Sequence, residues 1–290
     1  RRNSSCIALG SRNLDTATRT SHKIVPRLFF LPETTDMSEP TETTPLSPEG
    51  EEDTQALRIA KLQTWACVGA HVWAIAALVS EGVWFAQHRG IKNVFNWHPL
   101  LMVVGFCFMT VSTLSFKHYS CMSRDLRKTL HGVGWFIMII LGTLAMLAVV
   151  TQHNRHPYAH MVSLHSWMGL FTVLFYLVQF FFGTYAYGGL FPNVSIEFKK
   201  NLMAFHKWCG ITLYQITAVV MLLGIQEKEG FLPTNCEYHI TQAQTNIFVS
   251  FANLYRIPAE CKSAHVLGFS ILVMSVLTSF AVFDFGKKSK

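Results

Sequence analysis

Charged side chains are scarce in this chain of 290 residues, of which Asp, Glu, Lys and Arg make up only 14%. Half of the residues are hydrophobic. An ordinary soluble domain carries about 25% charged residues, so the composition argues against a soluble globular protein. The net charge is +7, but no lysine-rich patch or recognition motif is present, which argues against nucleic-acid binding.

Motifs of several enzyme classes are also absent. The chain has no Walker phosphate-binding loop, no zinc-ligand motif and no Gly-x-Ser-x-Gly elbow. We therefore do not expect nucleotide hydrolysis, zinc-dependent chemistry or a serine hydrolase. Residues 1–36 contain no apolar run long enough for a signal peptide or a membrane span.

The first 55 residues differ in composition from the rest. The chain starts with Arg1 and its first methionine is Met37, so we expect that residues 1–36 are not part of the native protein. Residues 37–55 are rich in Pro, Thr, Ser and acidic residues. Such a composition predicts a disordered N-terminal segment over residues 1–55.

Six apolar runs follow, and each is close to the roughly 20 residues that a helix needs to cross a bilayer core. Helices satisfy their backbone hydrogen bonds within lipid, so the pattern predicts an all-α bundle of six transmembrane helices over residues 56–284. A basic tail covers residues 285–290. The predicted spans are Leu62–Ala86, Trp97–Phe116, Leu130–Gln152, Met161–Tyr185, Leu202–Ile225 and Ala264–Phe283.

Basic residues in the short loops predict the orientation of the bundle. They concentrate in the second-to-third connection KHYSCMSRDLRK, at residues 199–200 and in the tail GKKSK. With an even number of spans these segments lie on the same side as both termini. That side is predicted to be the cytosol, which would leave the sequon at Asn193 unmodified. Cys236 and Cys261 would lie on the opposite side, where an oxidising compartment permits a disulfide, although the sequence does not decide whether they pair.

Four of the thirteen histidines occupy matching positions. His98, His131, His165 and His206 each lie near the point where the second, third, fourth or fifth span enters the membrane. Because successive spans run in opposite directions, His98 and His165 fall at one depth and His131 and His206 at the other. Ionisable residues at membrane depth are costly and often mark a functional site.

Two imidazoles on facing helices can provide both axial ligands of a haem iron. Two such pairs would make the second to fifth spans a four-helix haem-binding core that relays electrons across the membrane. Three alternatives remain open: unrelated polar residues that bond backbone carbonyls, proton-relaying groups of a haem-free transporter or channel, and a non-catalytic haem-binding sensor. His71 and His265 lack matched partners and are expected to be packed or hydrogen-bonded polar residues.

The segments NWHPLLMVVGF, KTLHG and SLHSW, with the histidine that opens the fifth span, resemble the cytochrome b561 family of ascorbate-dependent transmembrane electron carriers. The resemblance runs from about Leu62 to Phe283. It implies two haem b groups and a homodimer, with cytosolic ascorbate as the donor and a lumenal ferric chelate or monodehydroascorbate as the acceptor. It also implies the ligands, which are His98 and His165 for the lumenal haem and His131 and His206 for the cytosolic haem.

The same resemblance suggests substrate-binding residues. Lys117, Lys128 and Lys199 correspond to basic positions of the cytosolic ascorbate site, although arginine is usual at the first and third. Clustered positive charge would also concentrate an anion such as ascorbate near the cytosolic haem edge.

On the lumenal side, His153 matches a family histidine, and the segment QHNRHPYAH adds Arg155 and His156. These three residues are candidates for the acceptor site. Val162 and Ala204 stand where family members often carry tyrosine and proline. The sequence does not distinguish a plasma, vesicle or lysosomal membrane.

Overall fold

The structure is a computed structural model, and it describes residues 48–88, 90–156, 158–188, 193–230 and 259–285. These residues form six long α-helices and two short 3₁₀ turns, and no strand occurs among them. All six helices are long and apolar enough to cross a membrane, which confirms the predicted all-α architecture with six spans. The helices are α1 Pro48–Gln87, α2 Trp97–His118, α3 Arg124–Arg155, α4 Leu164–Tyr187, α5 Ile196–Gly230 and α6 Ala259–Val282, and the 3₁₀ turns are Gly90–Lys92 and Val94–Asn96.

Several helices extend beyond the apolar runs that predicted them. Helix α1 begins at Pro48, so residues 48–55 are helical although their composition predicts disorder. Proline suits the first turn of a helix because the N–H that it lacks has no partner there. The residues that follow, TQALRIAK, are mostly good helix formers.

Serine side chains cap the three helices α3, α4 and α5. Ser123, Ser163 and Ser195 each accept a hydrogen bond at 3.2 Å from the main-chain N–H three residues further on. Such caps satisfy a donor that the first helical turn leaves without a partner. Because Ser163 fixes the start of α4, His165 lies in the first turn of that helix.

The helices pack mainly as three antiparallel pairs, α1 with α6, α2 with α3 and α4 with α5. Helices α3 and α4 have few contacts with each other. The main buried core lies where α1, α2, α5 and α6 meet, and the fully buried side chains there include Phe106, Met109, Tyr214, Ile271 and Met274.

Aromatic side chains join the α2–α3 pair to the α4–α5 pair. Phe106 of α2 stacks on Tyr214 of α5 with ring centroids 4.7 Å apart, and Trp135 of α3 lies 5.0 Å from Tyr176 of α4. Both tyrosine hydroxyls form hydrogen bonds to threonine hydroxyls, at 2.6 and 2.5 Å. We call these four residues the aromatic layer.

The start of α1 and the end of α6 lie together. The Gln63 side-chain amide donates to the main-chain oxygens of Phe280 and Phe283, at 3.1 and 2.7 Å. We call this end of the bundle the termini side and the opposite end the far side. Helices α3 and α5 begin on the termini side, whereas α2 and α4 begin on the far side.

The predicted pairing of Cys236 with Cys261 concerns the connection between α5 and α6. Cys261 is disulfide-bonded. Cys236 lies outside the described residues, so the pairing itself stays a prediction. Cys67 and Cys107 are buried free thiols.

Candidate cofactor-binding site

The four histidines form two pairs between the α2–α3 and α4–α5 helix pairs. On the far side, the rings of His98 and His165 have centroids 6.0 Å apart and planes inclined by 89°. On the termini side, the rings of His131 and His206 are 6.1 Å apart and inclined by 67°. We call them the far-side pair and the termini-side pair. The structure therefore brings together the same partners that the alternation of the spans predicts.

In all four histidines, Nδ1 has a partner on the neighbouring helix of the same antiparallel pair. Three partners are main-chain oxygens, which can only accept, so those rings carry their proton on Nδ1 and a lone pair on Nε2. That tautomer binds a metal through Nε2, and such a bond from Nδ1 orients the ligand. The partners are Ala145 O for His98, Ser112 O for His131 and Val220 O for His165, at 3.1, 3.1 and 2.8 Å, and the side-chain amide of Gln179 for His206, at 3.0 Å.

The positions of these partners follow one spacing. Each lies 14 residues after the histidine of its own helix, as Ser112 does after His98 and Val220 after His206. Fourteen residues at the α-helical rise span about 21 Å. The two pairs are therefore about 21 Å apart along the bundle, close to four helical turns.

Glycines allow two of the rings to lie against a neighbouring helix backbone. A Cβ at Gly224 would lie 2.7 Å from Cε1 of His165, and a Cβ at Gly183 would lie 3.2 Å from Cε1 of His206. The first distance is a clash and the second is unusually tight. A larger residue at either position would therefore displace a ring of the site.

The geometry of each pair fits two imidazoles on opposite sides of one iron atom. Imidazole nitrogens bind metals at about 2 Å, which places the two ring centres roughly 6 to 6.5 Å apart. None of the four Nε2 atoms has a hydrogen bond within the described residues. The same part of the chain contains no group of three or more His, Cys, Asp or Glu that could hold a metal ion. Each pair therefore suits an iron whose remaining ligands come from a macrocycle.

Comparison with known proteins agrees with this arrangement. Residues 97–232 match the family described as eukaryotic cytochrome b561, a range that contains all four histidines. A probable ascorbate-specific transmembrane electron transporter of Oryza sativa subsp. japonica is 30% identical over 175 residues, which are 57% of this chain and 73% of that protein. The chain belongs to the cytochrome b561 family. Membership confirms the predicted resemblance, makes the chain a multi-pass membrane protein and implies haem b as a cofactor.

Animal members of the cytochrome b561 family are similar to the chain as well. A plasma membrane ascorbate-dependent reductase of Rattus norvegicus is 30% identical over 192 residues, covering 65% of this chain and 60% of that protein. A transmembrane ascorbate-dependent reductase of Homo sapiens is 29% identical over 159 residues, covering 53% and 62%. At the family level, these names support ascorbate-dependent transmembrane electron transfer.

Aromatic rings surround the termini-side pair of this cytochrome b561 chain. Phe116 and Trp135 lie 5.1 and 6.2 Å from His131, and Tyr187 lies 5.9 Å from His206, as distances between ring centroids. Sequence reasoning missed Phe116 and Tyr187 because the chain contains 23 Phe and 8 Tyr, so that no single ring stands out. Gln179 was missed too, although an amide within the apolar segment LVQFFFG is a visible signal.

Lys117 differs from the other two lysines predicted to bind ascorbate. Its Nζ donates to the main-chain oxygen of Phe283 at 2.7 Å and lies 3.6 Å from the carboxylate of Asp284. Asp284 is also 3.6 Å from Nζ of Lys207, a basic residue that the sequence analysis did not single out. The Lys117 charge is therefore directed toward the end of α6.

Lys128 and Lys199 lie on the same helices as the termini-side histidines. Lys128 is three residues before His131, and Lys199 is seven residues before His206. These spacings place each lysine on nearly the same helix face as its histidine, one turn and two turns closer to the membrane surface. Both lysines are thus better placed than Lys117 to meet an anion near the pair.

The residues predicted for the acceptor divide into two groups on the far side. Arg155 and His156 line a cavity of about 370 Å³ together with Lys92, Asn93, Val94 and Gln152. His153 does not line it, because its ring packs beside Tyr158 and His160 with centroids 5.9 and 5.0 Å away. Sequence reasoning missed Lys92, which lies far from Arg155 along the chain.

Of the two unmatched histidines, His71 is hydrogen-bonded, as predicted, and His265 lies beside a carboxylate. Nδ1 of His71 donates to the main-chain oxygen of Cys67, and its Nε2 accepts from the hydroxyl of Tyr119, both at 2.6 Å. Burial raises the pKa of Tyr119 to about 12, which keeps this hydroxyl protonated as a donor. His265 lies 3.3 Å from the carboxylate of Glu229.

Proposed function

We propose that this chain carries single electrons from cytosolic ascorbate to an acceptor on the far side of the membrane, either a ferric chelate or monodehydroascorbate. The observation that carries the proposal is the presence of two histidine pairs of nearly equal ring spacing, about 21 Å apart along the bundle. The names of its relatives support ascorbate as the donor. The excess of basic residues on the termini side supports a cytosolic location for that side.

The proposal includes two haem b groups, one at each pair. His98 and His165 would hold one group, and His131 and His206 the other. When bound, haem b supplies reversible one-electron chemistry at its iron. Because two imidazoles would hold each iron, the pairs suit electron transfer rather than oxygen or substrate binding at the metal.

On the termini side, the chain's task is to hold an anionic donor. Lys128 and Lys199 would attract the ascorbate monoanion, with a smaller contribution from Lys117, whose charge is shared with Asp284. The monoanion loses one electron to the chain and one proton to water, and leaves as monodehydroascorbate. The aromatic layer lies between the two pairs, where its rings pack against one another two by two.

On the far side, the cavity beside Arg155 and His156 would hold the acceptor. Lys92 and Arg155 give it two positive charges, which suit the anionic character of both candidate acceptors. A ferric chelate would gain one electron and become ferrous, whereas monodehydroascorbate would gain one electron and one proton. His153 lies beside this cavity and is the family-matched member of the group.

The test is reconstitution of the full chain into proteoliposomes with ascorbate on the termini side. We expect reduction of an external ferric chelate or of monodehydroascorbate, and a side-by-side comparison identifies the acceptor. The haem spectrum without sustained ascorbate oxidation would indicate a sensor, and active transport of a solute by colourless protein would indicate a haem-free transporter.

Light scattering of the purified protein tests the expected homodimer. A glycan found on Asn193 would contradict the proposed orientation of the bundle in the membrane.

A further inference from the structure

The hydrogen bond that orients His206 differs in kind from the other three. At the positions 14 residues after His98, His131 and His206, a main-chain oxygen accepts a hydrogen bond from the histidine ring of the neighbouring helix. At the fourth such position the partner is the side-chain amide of Gln179. One of the four ligands is therefore held by a group that a single substitution can change.

Gln179 contacts His206 at two atoms. Its Nε2 lies 2.7 Å from the main-chain oxygen of His206 and 3.0 Å from Nδ1 of the ring. If Nε2 of His206 faces iron, its Nδ1 carries a proton, so the residue offers one acceptor and one donor. Both contacts are made by Nε2, and the same amide also carries an acceptor: a turn about its last side-chain bond exchanges Nε2 for the carbonyl oxygen, which can then accept the Nδ1 proton.

The surroundings leave room for this amide. Gln179 is partly buried, and even a Cβ added at Gly210 would lie at an ordinary 3.5 Å from its Nε2. Gly183, one turn further along α4, lies against the same imidazole. A Cβ added at Gly183 would be 3.2 Å from Cε1 of that ring. Helix α4 therefore both orients the His206 ring and limits its rotation.

We propose that Gln179 is the positioning residue of His206 and that it tunes the reduction potential of the termini-side haem. This inference rests on the proposed function, because it requires a haem at that pair. A hydrogen-bond acceptor at Nδ1 makes an imidazole a stronger electron donor to its metal, which favours the oxidised form. The far-side haem has main-chain acceptors at both ligands, so it should not respond to changes at Gln179.

The experiment compares Gln179→Leu and Gln179→Glu with the unsubstituted chain in redox titrations followed by visible absorption. Leucine removes the acceptor, so one of the two titration components should move to higher potential. Glutamate has nearly the same shape and is a stronger acceptor, so the same component should move to lower potential. We expect about a tenfold change in the preference for the oxidised form, which corresponds to about 59 mV for one electron.

A matched control is Gln215→Leu. Gln215 is another partly buried amide, but its Nε2 donates across to α6, to Ser275 O at 2.9 Å and to Ser279 Oγ, and not to a histidine of either pair. This variant should leave both components unchanged.

The outcomes separate the inference from the proposed function. Protein without haem in every variant would contradict the proposed function itself. Two bound haems with unchanged potentials, or with shifts in the same direction for leucine and glutamate, would overturn the role of Gln179. If leucine causes loss of one haem, the glutamate variant decides, since it must keep both haems and lower one potential.

Discussion

The far-side pair and the termini-side pair share a ring spacing but are held by different groups. Their centroid distances are 6.0 and 6.1 Å. Both far-side rings are oriented by main-chain oxygens, whereas Gln179 orients His206 on the termini side. The comparison shows how one bundle can build two similar histidine pairs, one oriented by the backbone alone and one oriented in part by a side chain.

The glycines add a second contrast. His165 lies against Gly224 so closely that any side chain there would clash, whereas the contact of His206 with Gly183 is tight but less severe. The far-side pair is thus less tolerant of change in the neighbouring helix.

The largest expected effect comes from removing ligands. His98→Ala or His165→Ala should remove the far-side haem, and His131→Ala or His206→Ala the termini-side haem, because one imidazole is left without its opposing partner. Each variant should bind one haem per chain instead of two, measured by haem content against protein. Far-side variants should still be reduced by ascorbate but should not deliver electrons to the acceptor. A His165→Ala protein with both haems and unchanged spectra would show that the pairing is wrong.

Alanine substitution at Gly224 and at Gly183 should weaken haem retention at the neighbouring pair, and more strongly at the far-side pair. Gly224→Ala places a methyl group 2.7 Å from the His165 ring and should weaken haem retention by about tenfold or more, in the range seen for disturbed metal sites. Gly183→Ala should have a smaller effect on the termini-side haem. Dissociation of haem to an acceptor protein measures both. Gly169→Ala is the control, since its Cβ would lie at an ordinary 3.7 Å from Val220, and an equal loss in all three variants would contradict the comparison.

Loss of positive charge on the termini side should affect only the donor step. Lys128→Gln and Lys199→Gln should each raise the KM for ascorbate by roughly two- to fivefold, consistent with the free energy of one exposed charge contact. Lys117→Gln should have less effect, because Lys117 is already engaged with Asp284. Steady-state kinetics with saturating acceptor measures this, and a larger effect of Lys117→Gln would reverse the assignment.

Loss of charge at the far-side cavity should give the smallest change and should affect only the acceptor step. Arg155→Gln and Lys92→Gln should raise the KM for the acceptor by roughly twofold each and leave ascorbate reduction of the haems unchanged. Stopped-flow reduction by ascorbate, paired with acceptor kinetics, separates the two steps. An altered rate of haem reduction would place these residues outside an acceptor site.

The sequence was sufficient to predict the six spans and the alternation of the histidines, because hydropathy and span direction depend only on order along the chain. It also identified Arg155 and His156, which lie in one short segment. Lys92 could not be assigned to the same site from the sequence, because the cavity brings together residues that are distant along the chain.

Contacts between helices could not be predicted from the sequence for a similar reason. The bond from Gln179 to His206 and the contact of Gly224 with His165 depend on how α4 and α5 pack. The engagement of Lys117 with Asp284 likewise depends on where α6 ends. Each of these contacts depends on how far one helix is shifted along its neighbour. The spacing of residues within one helix does not give that shift.

Quantitative haem analysis of the purified, monodisperse full-length chain, produced with ample haem supply, tests the central claim most directly. The account predicts two haem b groups per chain, both with the low-spin spectrum of paired imidazole ligands and both reduced by ascorbate. A folded protein with no haem, or with a single haem that needs only one of the two histidine pairs, would contradict it.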